Sequence, residues 1–179
     1  MKQIRIVPVL FLLLLASCKS ESPTSSGTGA IVLLNSSFES DGMPSDSIWS
    51  IPPPPLSGFS TDVPPNGGKY SIFIEAGNPG QNALASLALP QGMHVFRLSI
   101  WAKTTAVTGY ADLLFVPAYS SNDLRKRIEI PDTTWHQYSL DDTLTAQSGD
   151  SIRVVLSAGI GEVIFSLAYF DLCKLEQLQ

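Results

Sequence analysis

The feature that most constrains the fold is the period of the apolar residues after residue 30. Between Val95 and Lys103, apolar and mostly polar side chains alternate, which places them on opposite faces of a strand. One face carries Phe96, Leu98, Ile100 and Ala102, and the other carries Arg97, Ser99, Trp101 and Lys103. No window in this part of the sequence shows a sustained helical repeat. The pattern therefore predicts a chain built from β-strands.

Similar windows of strand length recur along the chain, separated by residues that favour turns. The predicted strands are 70–75, 83–89, 95–103, 111–116, 125–130, 135–140, 151–157 and 162–175. Turn signals separate them, for example Asn78-Pro79-Gly80 and Ser148-Gly149-Asp150. About eight to ten short strands predict one all-β domain, an antiparallel β-sandwich of the jelly-roll type.

The composition excludes several other classes of protein. Of 179 residues, 44% are hydrophobic and 15% are charged, which excludes an intrinsically disordered chain. The net charge is −5 and the basic residues do not cluster, so we expect no nucleic-acid partner. The sequence contains only two cysteines, too few for a disulfide framework or a cysteine-based zinc site.

The first residues have the layout of a secretory signal. Lys2 and Arg5 precede an apolar run of ten residues, from Ile6 to Leu15. As a helix, about ten residues extend roughly 15 Å, half of the ~30 Å hydrocarbon layer of a membrane. Residues 1–17 are therefore predicted to be a signal peptide rather than a membrane span.

A lipid anchor is predicted at the end of this segment. Leu15-Ala16-Ser17-Cys18 resembles the lipobox of bacterial lipoproteins, and the resemblance implies cleavage before Cys18 and diacylglycerol on its sulfur. Residues 19–29 lack aliphatic and aromatic side chains and are predicted to form a flexible tether, followed by a folded domain over 30–179. Lys19, at the position where aspartate signals inner-membrane retention, favours the outer membrane. The periplasmic and external faces remain alternatives, as does ordinary secretion without an anchor.

Several short motifs occur in the order and spacing of a known family. They are 35–39 followed by Gly42, Pro44 and Trp49, then 67–71, 96–103, 134–139 and 170–176. This set resembles the galactose-binding-like carbohydrate-binding modules of families 4, 9 and 22 over residues 31–176. The resemblance implies a jelly-roll domain that binds a carbohydrate. It departs from the family at Leu172, where a second acidic residue is usual, and at Cys173.

The polar face of the strand at 95–103 is the predicted ligand-binding surface. An indole on the outer side of a sheet can be covered by a sugar ring, while basic side chains donate hydrogen bonds to its hydroxyls. The candidate residues are Arg97, Ser99, Trp101 and Lys103, with Arg153 expected on the equivalent face of the strand at 151–157. The alternative is that a loop, such as the proline-rich segment 52–55, covers Trp101.

The resemblance also implies a structural Ca²⁺ ion. Its candidate ligands are Glu39 and Asp171, since carboxylates together with backbone carbonyls form the oxygen shell that Ca²⁺ prefers. The alternative is that both carboxylates only accept hydrogen bonds from nearby amides. Cys173 shares a face with Asp171 and Leu175 and is predicted to be a buried, small hydrophobic residue, with a reactive or intermolecularly paired thiol as the alternative.

The sequence predicts a binding protein rather than an enzyme. Gly149-Asp150-Ser151-Ile152 resembles the first block of a Gly-Asp-Ser-Leu hydrolase, but no histidine follows His136 to serve as its base. We therefore expect a membrane-anchored lipoprotein that binds a glycan or another extracellular ligand. The alternative function is that of a structural or protein-interaction lipoprotein without sugar binding.

Overall fold

The described part of the chain folds entirely from β-strands. The structure is a computed structural model that describes residues 31–77, 81–120, 123–159 and 166–178. Across these ranges it contains twelve strands and no helix, which confirms the predicted all-β class. The predicted signal peptide, Cys18 and the tether at 19–29 lie outside the described residues. The described segments contain no helix long and apolar enough to cross a membrane.

The strands follow the predicted order. They are β1 Ile31–Ser36, β2 Glu39–Ser40, β3 Met43–Pro44, β4 Ser57–Ser60, β5 Ser71–Glu75, β6 Asn82–Ala88, β7 Gly92–Thr104, β8 Gly109–Val116, β9 Leu124–Ile130, β10 His136–Ala146, β11 Ser151–Ala158 and β12 Leu167–Gln177. Strand β10 continues six residues beyond the predicted end at residue 140, because polar side chains such as Asp141 and Thr143 alternate with half-buried or buried ones.

Two antiparallel sheets form a sandwich. The first, called the β7 sheet, has the order β10-β7-β12-β5-β4, and β1 pairs with the second half of β12. The second, called the β8 sheet, has the order β6-β11-β8-β9. Their apolar faces pack against each other, as expected for a jelly roll. A short hairpin of β2 and β3 stands apart from both sheets.

The core confirms the alternation in β7. Phe96, Leu98, Ile100 and Ala102 are completely buried. They belong to one hydrophobic cluster with Ile152, Val154 and Leu156 of β11. Burying a large apolar side chain stabilises a fold by about 1.5–3 kcal/mol. The four polar-face residues of β7 must therefore lie on the outer side of the β7 sheet.

Strand β12 contains a bulge near its centre. Its pairing with β7 shifts register between Asp171 and Lys174, and Leu172 has a φ of 47°. A left-handed backbone costs an L-residue about 1–2 kcal/mol, so the surrounding pairing must hold this conformation. The bulge turns Cys173 into the core, where it is fully buried as predicted, whereas Asp171 lies on the outer face, so the two residues do not share a face as alternation had predicted. It also places Asp171 directly opposite Trp101 in the strand pairing.

We expect the thiol of Cys173 to be unreactive in the native protein. It is completely buried, and burial raises the pKa of this thiol, so little thiolate forms. A Cys18→Ser variant treated with a chromogenic disulfide reagent should be labelled only after unfolding in urea. Rapid labelling of the native variant would contradict the burial of Cys173.

Candidate ligand-binding face and carboxylate pair

Three neighbouring strands arrange the outer face of the β7 sheet in rows. The pairing of β12, β7 and β10 places Lys103 beside Tyr169; Trp101 between Asp171 and Gln137; Ser99 between Lys174 and Ser139; and Arg97 between Glu176 and Asp141. The structure thus brings four of the five predicted ligand-binding residues onto one surface, in the order that the alternation in β7 requires.

Lys103 is already engaged within the protein. Its ammonium group forms an ion pair with Asp62 and lies 5.3 Å from the ring centre of Trp135 and 5.1 Å from that of Tyr169. The Trp135 indole donates a hydrogen bond to the same carboxylate, at 2.9 Å. Burial opposes ionisation of Asp62, but these hydrogen bonds outweigh it and lower its pKa. The Lys103 side chain is only 16% exposed, so the expectation that it contacts a ligand is not supported.

A loop crosses this end of the face. Residues 61–70, between β4 and β5, include Asp62, and a Cβ built on Gly67 would lie 2.4 Å from a carboxylate oxygen of Asp171. Trp101 itself is half-buried. The proline-rich segment instead lines a separate depression that includes Phe59. The loop that approaches the row of Trp101 is therefore 61–70 rather than 52–55.

The other end of the face is an open polar groove of about 380 Å³. Its lining consists of Arg97, Ser99, Gln137, Tyr138, Ser139, Lys174 and Glu176. Arg97 donates two hydrogen bonds of 2.7 Å to Asp141, and these lower the pKa of that carboxyl group. Both side chains are about half exposed, so the ion pair adds little stability. Either side chain can leave it to form hydrogen bonds with a ligand in the groove.

Arg153 does not join this surface. It belongs to β11, in the β8 sheet, where it pairs with Ser86 on one side and Leu114 on the other. Alternation alone predicts that Arg153 points outward, but it does not say from which sheet. The expectation that Arg153 shares a site with Arg97 and Trp101 is wrong, because the core of the sandwich separates them.

The two predicted metal ligands do come together. Asp171 is completely buried; one of its oxygens accepts a 2.7 Å hydrogen bond from the Leu172 amide, and the other, Oδ2, has no hydrogen-bond partner among the residues that the structure describes. Burial, together with the charge of Glu39, raises the pKa of Asp171 to about 7. Glu39 accepts a 2.9 Å hydrogen bond from the Lys69 amide. A buried carboxylate oxygen without a partner is costly unless a proton or cation compensates it.

The backbone of residues 67–68 lies against the two carboxylates. A Cβ on Gly68 would lie 2.0 Å from Glu39 Oε1, so this backbone approaches both acidic side chains as closely as glycine allows. No group of three or more His, Cys, Asp or Glu side chains forms a metal cluster among the described residues. The two carboxylates by themselves are oxygen ligands of the kind that a hard cation prefers.

Several residues of this face are not among the ligand-binding residues predicted from the sequence. Gln137, Ser139 and Lys174 alternate with inward residues on β10 and β12, so the period of those strands carried a usable signal. Asp62 left no such signal, because it lies in a loop and its contacts are with residues 41 and 73 positions away. Trp135 packs edge-on against Tyr169, with ring centres 6.4 Å apart.

The architecture defines a class of protein fold. Two antiparallel sheets with this arrangement form the jelly-roll sandwich of carbohydrate-binding modules, which confirms the fold expected from the sequence motifs. No protein-family model matches the chain, and no curated protein sequence matches it.

Several solved carbohydrate-binding modules have a fold similar to that of this chain. The xylan-binding CBM22-1 domain of Paenibacillus barcinonensis Xyn10C superposes with a TM-score of 0.59 at 14% identity, covering 84% of this chain and 97% of that one. The C-terminal family 22 module of Clostridium thermocellum Xyn10B gives 0.54 at 15% identity, covering 82% and 94%. A family 16 module gives 0.52 at 13% identity, covering 67% and 84%. At these identities the likeness establishes the fold.

In the absence of divalent cations, we expect the contribution of Asp171 to stability to decrease as the pH rises from about 4 to about 7. The unfolded chain releases the Asp171 proton near 3.8 and the folded protein near 7, so the folded state holds more protons over this interval. Urea denaturation in EDTA measures the free energy of unfolding at each pH. The difference between wild type and Asp171→Asn isolates this group from the other carboxylates, and a difference that does not vary with pH would contradict the assignment.

Proposed function

We propose that the protein is a lipid-anchored, non-catalytic glycan-binding protein of a bacterial cell envelope. The observation that carries this proposal is the open polar groove across β12, β7 and β10, beside the row of Trp101. Its volume of about 380 Å³ falls in the usual range of ligand sites. The fold supports the proposal, since similar structures include a xylan-binding domain.

The groove has the hydrogen-bonding chemistry that a neutral sugar requires. Hydroxyl groups both donate and accept, and the lining provides donors at Arg97 and groups that do both at Ser99 and Ser139. Lys174 and Glu176 also line the groove and form an ion pair with each other at 2.7 Å. Trp101 occupies the adjacent row and offers an apolar edge for the C–H groups of a sugar ring. Such a site holds a ligand without breaking bonds.

A Trp101→Ala or Ser139→Phe substitution should weaken glycan binding at least tenfold. Ser139 faces the groove directly opposite Ser99, so phenylalanine there fills the space without entering the core. Affinity electrophoresis through gels containing neutral polysaccharides, xylan among them, measures the retardation. Thr145→Phe is the matched control, because Thr145 is exposed on the same strand beyond the groove. Equal retardation of wild type and Ser139→Phe by a bound glycan would place its site elsewhere.

The alternative function remains a structural or protein-interaction lipoprotein. One observation favours it. Lys103 already contacts Asp62, Trp135 and Tyr169, so this basic side chain and the two aromatic rings are not available to bind a ligand. The absence of retardation of the wild-type protein by every glycan tested would support this alternative and overturn the first proposal.

We propose that Glu39 and Asp171 hold a structural Ca²⁺ ion that joins β2, β12 and the loop 61–70. A bound cation would compensate the unpartnered oxygen of Asp171 and stabilise the folded state by mass action. Calcium should therefore raise the melting temperature by several degrees over EDTA, and Asp171→Asn should remove this increase. Asp141→Asn, at an exposed carboxylate, is the control. An identical melting temperature with calcium and with EDTA would eliminate both ligands.

The anchor belongs to the same proposal. A Cys18 lipid followed by an eleven-residue tether, with an average span of about 18 Å, holds the domain close to the outer membrane. Cys18→Ser should move the protein from the membrane fraction to the soluble fraction, measured by fractionation and immunoblotting. Continued membrane retention of the Cys18→Ser variant would contradict lipid anchoring at this residue.

A further inference from the structure

The outer face of the β8 sheet carries a second arrangement of charged residues, which the groove on the β7 sheet does not use. Strand pairing aligns two rows, here called the arginine rows: Ser86, Arg153, Leu114 and Arg125 in the first, and Leu84, Val155, Asp112 and Arg127 in the second. Three arginines from two strands thus surround one aspartate and an apolar strip.

Arg127 is fixed and neutralised within these rows. It donates hydrogen bonds of 2.7 and 3.0 Å to the two oxygens of Asp112, whose side chain is only 3% exposed. Its guanidinium group also lies 4.2 Å from the ring centre of Tyr110. This fork-to-fork pair accounts for a buried carboxylate on the outer side of a sheet.

The other two arginines have no equivalent partner. The nearest approach of Arg125 to Asp112 is 3.6 Å, longer than a normal hydrogen bond, and its side chain is 52% exposed. The Nε atom of Arg153 is buried and has no hydrogen-bond partner within the described segments. Because Asp112 neutralises only one of the three guanidinium groups, the rows retain two positive charges. The acidic Glu129 lies one row further away, beside Tyr110.

The positions of these two arginines define what they can bind. Arg153 and Arg125 flank Leu114 on neighbouring strands, so their backbones lie two strand spacings apart, about 9.6 Å. A guanidinium group binds carboxylate or sulfate through two parallel hydrogen bonds. Leu114 and Val155, which lie between the charges, are buried, so the two guanidinium groups carry the recognition. Their spacing suits a polymer that carries anionic groups at regular intervals.

We propose that the arginine rows bind an acidic polysaccharide, with Arg125 and Arg153 each pairing with an anionic group of the sugar chain. This site is separate from the groove on the β7 sheet, so a negative result for one of the two sites does not contradict the proposal for the other. Two arginines held at a fixed backbone spacing favour a polysaccharide with regularly spaced anionic groups over an anionic lipid surface, which is typically bound by clusters of about four to eight basic residues.

Affinity electrophoresis of the purified protein in gels containing polygalacturonate tests this proposal. We expect retardation by polygalacturonate and none by its fully methyl-esterified form, which has the same sugar chain without the charge. Arg125→Gln and Arg153→Gln should each weaken binding about tenfold. The matched control is Lys126→Gln, which removes the same charge from β9 on its opposite face, while Ser139→Phe in the groove should leave this binding unchanged. A parallel gel with dextran sulfate distinguishes sulfate from carboxylate recognition.

Several outcomes would overturn the inference. Equal retardation by the esterified polymer would show that charge is not recognised, and an equal loss in Lys126→Gln would show general charge attraction instead of a site. Retention on phosphatidylglycerol vesicles without any retardation by polygalacturonate or dextran sulfate would assign the face to lipid. Should Arg153→Gln fail to fold, the exposed Arg125 still carries the test, with thermal melts of each variant as the check on folding.

Discussion

The packing of the two sheets through the apolar face of β7 is the constraint on which the rest of the structure depends. Phe96, Leu98 and Ile100 are completely buried against the opposite sheet, and no register slip by one residue is possible without moving them into solvent. The residues between them are therefore forced outward. Both ligand proposals rest on outward-facing residues of this kind, one set on the β7 sheet and the other on the β8 sheet. The core holds both sets in place and takes no part in binding.

Two of the three buried carboxylates among the described residues lie on the strands that carry the proposed sites. Asp112 is bound by a guanidinium group that meets both of its oxygens, and two further arginines lie in the same rows. Asp171 has only an amide hydrogen bond and a nearby Glu39, so its charge is disfavoured without a cation. The same residue type, buried in both places, is therefore compensated by a guanidinium group beside one sheet and has only amide contacts beside the other, and this difference underlies the two separate proposals.

The sequence predicted those features of the site that depend on neighbouring residues in the chain, and it did not predict those that depend on contacts between distant segments. Alternation within β7 correctly placed Arg97, Ser99 and Trp101 on an outer face, because side-chain direction in a strand is a local property. Lys103 also points outward, but it forms an ion pair with Asp62 instead of facing a ligand. Asp62 lies in a loop, whose position relative to the strand the alternation pattern does not predict. Arg153 was assigned to the wrong surface, because strand order is set by pairing between distant segments and alternation carries no information about it.

The sequence by itself determined the all-β class, the positions of most strands and the side of each strand that faces the core, since these depend on the period of apolar residues and on turn-forming residues nearby. Only the tertiary structure decided which outward faces share a sheet, which charges are already paired and which carboxylates meet. Glu39 and Asp171 lie at opposite ends of the domain sequence, and Arg125 and Arg153 on β9 and β11, two strands separated along the chain by β10. Their proximity arises from antiparallel pairing and sheet packing, which bring together residues that no local pattern connects.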